Sequence, residues 1–258
     1  MDNPTHDNPT AVVVGATGAT GRLLVRHLLE RGVRVKTVVR SLERVPEDIR
    51  THPNFDAREG ELLSLSDGEL DSLVSGCSAL ASCLGHNLSF RGMFGPPYRL
   101  VTDATRRLCE AAQRQEECDD GKVRFVLMNT TGNRNRDLNE EISFAQKCVI
   151  GLLRLLLPPH ADNENAADYL RRSFGPDHAV LGWAAVRPDN LVNDEEVTEY
   201  ELYESPIRSA IFDSGKTSRI NVAHFMAELM TNREVWSEWN GRMPVIYNKE
   251  TPDSAPES

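Results

Sequence analysis

The sequence predicts an α/β chain built on a doubly wound, mostly parallel sheet with helices on both faces. Three observations carry that expectation. Short β-branched or small apolar runs alternate with stretches of helical periodicity, three glycines punctuate the first junction between them, and Ala79 to Leu84 is an apolar run without charge, as a parallel strand covered on both faces requires. With 258 residues the chain can form one domain of this type with a large core, or barely two. We expect one domain over residues 11–248, in which 188–218 form a small substrate lobe, between loose tails at 1–10 and 249–258.

The first unit is Ala11 to Ser41, AVVVGATGATGRLLVRHLLERGVRVKTVVRS. Ala11 to Val14 read as a strand. The following helix pairs Leu24 with Leu28 and Val25 with Leu29 at i,i+4, toward a sheet, while Arg22, Arg26 and Glu30 point elsewhere. Gly32 closes it, and Val33 to Val39 form a second strand. Each glycine at the junction has a physical task. Gly15 turns the chain sharply, Gly18 removes a Cβ where a phosphate approaches the backbone, and Gly21 lets helix and strand pack closely. With Thr17, Ala19 and Thr20 they form a candidate pyrophosphate cradle at a helix N-terminus. The spacing is G-x-x-G-x-x-G rather than G-x-G-x-x-G, but strand, turn, helix and second strand follow within one βαβ unit, which points to nucleotide binding.

The end of the second strand bears on which dinucleotide. NAD sites use an Asp or Glu there to bond the ribose 2′-hydroxyl; this chain has Val38-Val39-Arg40-Ser41, with Arg44 one turn on. A guanidinium fork and a hydroxyl suit the 2′-phosphate of NADP, so Arg40 and Ser41 are candidate ligands and NADP(H) the expected cofactor. The alternative for Arg40 is a plain surface residue after a strand.

The VVVGATGATG opening with its VVRS strand end is similar to the atypical short-chain dehydrogenase/reductase superfamily, in particular the NmrA-like and biliverdin-reductase-B-like (flavin reductase) branch of NAD(P)-binding proteins. RFVLMNTTG at Arg124 to Gly132 resembles the fifth strand of that family, and WAAVRPDNL at Trp183 to Leu191 its W-x-x-V-R-P-x-x-L strand and turn. The resemblance covers residues 11 to 247 and implies a Rossmann-like fold. By the same resemblance Glu61 contacts the adenine, with a solvated acid as the alternative, and Pro188 and its neighbours lie beside the nicotinamide.

The remaining elements follow in order. Asp56 to Leu62 reads as a short third strand ending at Gly60-Glu61, then Leu65 to Gly76 as a helix capped by Ser66 with Leu70, Leu73 and Val74 inward. The fourth strand, Ala79 to Leu84, ends at Gly85. Ligands of open α/β sheets bind beyond the carboxyl ends of strands, which brings Leu84, Gly85 and, after the fifth strand, Asn129 into the expected cofactor site. The aromatic, glycine-containing loop from His86 to Tyr98 shapes the same site, with His86 and Tyr98 as polar contacts or as structural residues. Val101, Ala104, Leu108, Ala111 and Ala112 define a helix stripe, and Val123 to Met128 a fifth strand. Ile142 to Leu157 reads as a helix ended by Pro158-Pro159, with another beginning at His160. Ala179 to Val186 is the sixth strand, Arg187 to Leu191 a turn, and Asp194 to Lys216 the lobe, with Tyr200 and Tyr203 packed in it. Arg219-Ile220 lead into a helix containing Phe225, Met226, Leu229 and Met230; Trp236 and Trp239 pack on the core or lobe, and Pro244 to Tyr247 is the last strand.

Candidate chemistry gathers after the fifth strand. In the related reductases a Ser or Thr there holds the substrate carbonyl, which here would be Thr130 or Thr131, and a Tyr-x-x-x-Lys supplies the proton that hydride delivery requires. Twelve residues past Thr131 stands Ser143, with Lys147 four further on, so the lysine is kept but the phenol is not. An aliphatic hydroxyl is a poor acid for this step. A lysine that relatives carry near the start of the next helix is Asn163 here. His160 is the alternative proton donor, with a helix-capping histidine as the other reading. Flavins and quinones accept hydride without a dedicated acid. The expected function is therefore an NADPH-dependent oxidoreductase of a small carbonyl, quinone or flavin-like acceptor; the alternative is an inactive NADP(H)-binding regulator or scaffold.

A net charge of −10 disfavours nucleic acid and anionic membranes as main partners, leaving a small-molecule substrate. The five cysteines, Cys77, Cys83, Cys109, Cys118 and Cys148, show no C-x-x-C spacing and read as reduced thiols of a cytoplasmic protein. No His/Cys cluster has metal spacing, and MDNPTHDNPT lacks the basic start and apolar run of a secretory leader. The apolar stretch Cys148 to Pro159 is too short to span a bilayer and is expected to pack on the domain or against a second subunit of a homodimer.

Overall fold

The computed structural model describes residues 8–86, 95–115, 121–138, 140, 158–175, 178–209 and 213–249. Its strands are β1 (Thr10–Val14), β2 (Arg34–Val39), β3 (Phe55–Glu59), β4 (Ala79–Ser82), β5 (Val123–Met128), β6 (Leu181–Pro188), β7 (Asn190–Val192), β8 (Tyr200–Tyr203), β9 (Lys216–Ser218) and β10 (Val245–Asn248). Among the described residues the main sheet runs in the order β3-β2-β1-β4-β5-β6-β10-β8, and β7 pairs with β9 alongside it. Every pairing is parallel except β10 with β8. The order reverses between β1 and β4, which opens a crevice at their carboxyl ends, the place where doubly wound sheets bind dinucleotides.

The helices are α1 (Gly21–Glu30), α2 (Glu47–Arg50), α3 (Asp67–Val74), α4 (Leu100–Arg114), α5 (Pro158–Ser173), α6 (Arg219–Thr231) and α7 (Arg233–Trp239). They sort onto the two faces of the sheet by their apolar stripes. Leu24, Val25, Leu28 and Leu29 of α1 join Val222, Phe225, Met226 and Leu229 of α6 on one face. Leu70 and Val74 of α3, Val101, Ala104 and Leu108 of α4, and Ala166 and Leu170 of α5 form the core on the other. Alternation along β1 serves both: Val13 points to the first core and Val12 to the second. The central strands are therefore buried on both sides, and β1, β4 and β6 read as near-continuous apolar runs. Ser66 starts α3 with a reciprocal capping box: its hydroxyl accepts from the Glu69 N–H, and the Glu69 carboxylate accepts from the Ser66 N–H at 2.8 Å.

Several expected boundaries are corrected. The third strand is Phe55–Glu59, so Gly60 and Glu61 lie past its end. Pro158 and Pro159 stand in the first turn of α5, where a proline lacks only an N–H that would be unpaired there, while the expected helix before them lies outside the described residues. His160 thus sits inside the first turn of α5. The sixth strand runs to Pro188, so Arg187 is a strand residue rather than the start of a turn; parallel pairing with β10, Val245 to Arg187 and Ile246 to Pro188, carries it that far. The lobe is also different. Tyr200 to Tyr203 form the antiparallel edge strand of the main sheet, where Tyr200 packs against Phe225, and β7 pairs with β9. Arg219 and Ile220 belong to α6, which begins at its Ser218 cap. Residues 142–157, with Ser143, Lys147 and Cys148, lie outside the described residues, as do Cys118, most of the 86–98 loop and the tails.

Candidate functional site

At the end of β1, Gly15 adopts φ +81°, a conformation that side chains oppose. A Cβ there would stand 2.6 Å from the carbonyl of Cys83 and 2.9 Å from the Leu84 nitrogen, so the turn is pressed against the exit of β4. A Cβ on Gly21 would collide with the Gly15 carbonyl, which lets α1 start directly beneath the turn. The Gly18 N–H donates to that same carbonyl at 2.9 Å, and Gly18 itself is exposed. The Thr20 side chain is buried and does not cap α1, so the cradle shows backbone to solvent. This bare helix start fits a diphosphate, with Gly15, Thr17, Gly18, Ala19, Thr20 and Gly21 as its wall.

At the end of β2, Arg40 is exposed and Ser41 half-buried. Arg26, Arg31, Arg34 and Arg58 are paired with Asp48, Glu228, Asp56 and Glu69. Arg40 makes no such pair among the described residues, which leaves its charge available to an anion. Glu61 is exposed just past β3, and Leu84 and Gly85 follow β4 against the glycine turn.

The loop after β5 is tightly held. Asn129 is buried; its amide donates to the Asn163 carbonyl at 3.0 Å, and its side-chain oxygen accepts from the Thr130 N–H at 2.8 Å. The Thr130 hydroxyl accepts from the Gly132 N–H at 3.3 Å. Asn129 and Thr130 therefore shape the loop with their side chains, a role the sequence did not suggest. Thr131 is tied across to β6, its N–H donating to the Pro188 carbonyl at 3.0 Å. His160 lies beside Gly132 and 3.6 Å from Glu164, so it is placed near the loop. His86 Nε2 meets Asp162 at 2.8 Å, and Asp162 also accepts from the N–H groups of Val101 and Thr102, capping α4; His86 is thus a buried structural partner, while Tyr98 is exposed.

Three further residues stand out near the ends of β5 and β6, of which the sequence reading named Arg187 and Asp189 only as neighbours of Pro188, and Glu140 not at all. Arg187, wholly buried, forms an ion pair with buried Glu140 at 2.8 Å and donates to the carbonyls of Asn133, Met243 and Glu204. Burial lowers the Arg187 pKa and Glu140 pulls it back up. A charge at the end of the apolar run WAAVRP was the available signal for such a pair. The third is Asp189, just past β6, whose carboxylate accepts from the Gly215 N–H at 2.9 Å.

A family model of NAD(P)H-binding proteins matches residues 15–233 of the chain. The chain belongs to this NAD(P)H-binding family. The match runs from the glycine turn to the start of α7, in line with the resemblance to atypical short-chain reductases. A Synechocystis protein provisionally named dihydroflavonol 4-reductase is 34% identical over 102 residues, 40% of this chain and 28% of that protein. An uncharacterized chloroplast protein of Arabidopsis thaliana is 25% identical over 182 residues, 70% of this chain and 59% of that one. The chain thus covers less than two thirds of the length of either relative. Among solved structures, a short-chain dehydrogenase/reductase from Veillonella parvula in complex with NADP superposes with a TM-score of 0.66 at 17% identity, covering 98% of this chain and all of that one. An oxidoreductase from Lactococcus lactis does so with 0.63 at 17%, over 94% and 92% of the two chains. These likenesses establish a shared fold. Among the described residues no helix is long and apolar enough to cross a membrane, and no group of acidic, histidine and cysteine side chains could hold a metal ion.

Proposed function

We propose that this NAD(P)H-binding protein is an NADPH-dependent oxidoreductase acting on a small carbonyl, quinone or flavin-like acceptor. The observation that carries the reading is the crevice itself: a side-chain-free cradle at the β1–α1 turn, an arginine at the end of β2 with no ion pair among the described residues, and hydroxyls after β5 share the carboxyl end of the sheet. Gly15, Gly18 and Gly21 hold the diphosphate, Arg40 and Ser41 the 2′-phosphate, Glu61, Leu84 and Gly85 border the adenine half, and Pro188 borders the nicotinamide. Thr130 or Thr131 faces the acceptor. Bound reduced nicotinamide supplies hydride; the chain's task is to orient the acceptor, exclude water and manage one proton.

Arg40→Ala tests the cofactor part. Loss of a charge-assisted contact worth about 1.5–3 kcal/mol lowers NADPH affinity by roughly 10- to 100-fold. NADH affinity, measured by the same fluorescence titration, should barely change; equal losses would remove the 2′-phosphate assignment. A second reading, a dinucleotide-binding regulator without turnover, is favoured by the internal engagement of Asn129 and Thr130. Tight NADPH binding with no consumption across a panel of quinones, flavins and carbonyls would select it.

A further inference from the structure

Strand alternation puts Arg34, Lys36 and Val38 on one face of β2 and Asp56 and Arg58 on one face of β3. Val38 joins the core built with α3 and α4, so this is the face that α3 covers. The cover is incomplete. α3 packs over β1 and against α4, while the β2–β3 connection turns to the opposite side, where Ile49 of α2 joins the core of α1. Between α3 and the two outer strands is left a cavity of about 390 Å³, lined by apolar Val38, Leu65 and Leu73 and by the charged side chains of β2 and β3.

The charges around it do not cancel. Arg34 pairs with Asp56 at 3.2 Å, and Arg58 pairs with Glu69 of α3. Lys36 has no carboxylate partner among the described residues; its ammonium donates to the carbonyl of Ser75, at the end of α3, at 2.9 Å. An ammonium carries three protons to donate, so that bond leaves two of them, and one positive charge, to whatever enters. In a chain of net charge −10, an uncompensated cation beside apolar side chains selects for the opposite sign. The volume lies at the small end of the roughly 300–1,000 Å³ of ligand cavities, which suits a compact ligand rather than a second dinucleotide.

We propose that this cavity is a binding site for a small organic anion, a carboxylate on an apolar body, whose charged end meets the Lys36 ammonium and whose body lies on Val38, Leu65 and Leu73. The site stands apart from the oxidoreductase reading. Its walls are the lengths of β2 and β3 rather than their carboxyl ends, and none of its residues belongs to the cofactor or acceptor sites proposed above. The two ion pairs, one joining β2 to β3 and the other β3 to α3, tie the walls together.

The probe is 2-naphthoate, titrated by calorimetry alongside 2-naphthylmethanol, a neutral molecule of nearly the same shape. The wild type should bind the acid with a Kd below about 1 mM, and the alcohol roughly 10-fold more weakly. Added salt should weaken the acid alone. Lys36→Met keeps an unbranched stem and removes the charge; it should cost naphthoate about 10-fold and leave the alcohol unchanged. Ser72 lines the cavity from α3, is exposed, and donates its hydroxyl to the Gly68 carbonyl of its own helix, so it can be replaced without touching the core. Ser72→Lys should tighten naphthoate and Ser72→Glu should weaken it, opposite signs that a loss of structure would not produce. Saturating NADPH should leave the affinity unchanged. No naphthoate binding by the wild type, equal binding of acid and alcohol, an undiminished affinity in Lys36→Met, or displacement by NADPH overturns the proposal. A wild-type dimer that Ser72→Glu dissociates in sedimentation would give the cavity to a second copy of the chain and overturn it as well.

Discussion

Glu140→Gln should destabilise the protein out of proportion to the size of the change. Arg187 is wholly buried and its guanidinium has four oxygen partners: the Glu140 carboxylate and the carbonyls of Asn133, Met243 and Glu204. The other Glu140 oxygen accepts the Asn135 N–H at 2.8 Å. Glutamine can preserve the Asn135 bond but leaves the guanidinium without a counter-charge. Breaking a buried pair by removing one partner costs about 3–5 kcal/mol. At about 2–4 °C per kcal/mol for a chain of this size, the melting midpoint should fall by roughly 6–20 °C. Arg187→Met should cost at least as much, because it orphans three carbonyls as well as the carboxylate. The double variant should recover part of the summed loss, with a coupling on the order of 0.5–3 kcal/mol. Urea denaturation of the four proteins at neutral pH measures all of these terms. A Glu140→Gln loss below about 1 kcal/mol, or strict additivity, would refute the view that this pair ties the β5 loop to β6 and β10.

Gly15→Ala should abolish NADPH binding in a fluorescence titration while the chain stays folded by circular dichroism, since φ is +81° and the new Cβ meets the Cys83 backbone, which cannot swing aside; retained affinity would show that the cradle tolerates a shift. His27 and His224 meet edge to face at 5.6 Å between α1 and α6, and burial lowers both below the ordinary imidazole value of 6.5. A folded-state pKa below the unfolded one means that stability is fully present above pH 6.5 and lost as pH falls through the lowered value, so His27→Phe should flatten the decline in urea midpoint from about pH 7.5 to about pH 5. Glu69 is held down to about 2 by the Ser66 N–H, then by Arg58 and the Ser66 hydroxyl. Its contribution is present above pH 4.5 and lost as pH falls toward 2, and Glu69→Gln should remove that part of the acid limb in the same assay.

Local pattern was enough wherever it was periodic and close in sequence. The glycine turn, the α1 and α4 stripes, the Ser66 cap and β5 stand where the residues indicate, because each depends on neighbours within one or two turns. Boundaries failed where a distant partner extends an element. β6 continues through Arg187-Pro188 because β10, nearly sixty residues later in the chain, pairs with it. Tyr200 to Tyr203 leave the expected lobe because the same strand offers them an antiparallel edge.

The candidate site divides along the same line. Gly15, Gly18, Gly21 and Arg40 could be proposed from the sequence because a phosphate cradle is made of consecutive backbone and one strand end. Thr131 and Pro188, like Asp189 and Gly215, are far apart in sequence and meet through the pairing of β5 with β6 and of β7 with β9. Asn129 and Thr130 look like ligand groups in one dimension, and their neighbours claim them in three.

The amino-acid order alone determined that this chain folds as a doubly wound α/β protein with a glycine turn between β1 and α1, because periodicity and glycine spacing act over short range. Tertiary structure decided which polar groups are internal braces and which face the crevice. Hydrogen bonds and burial set that division, and both depend on which strand ends lie side by side.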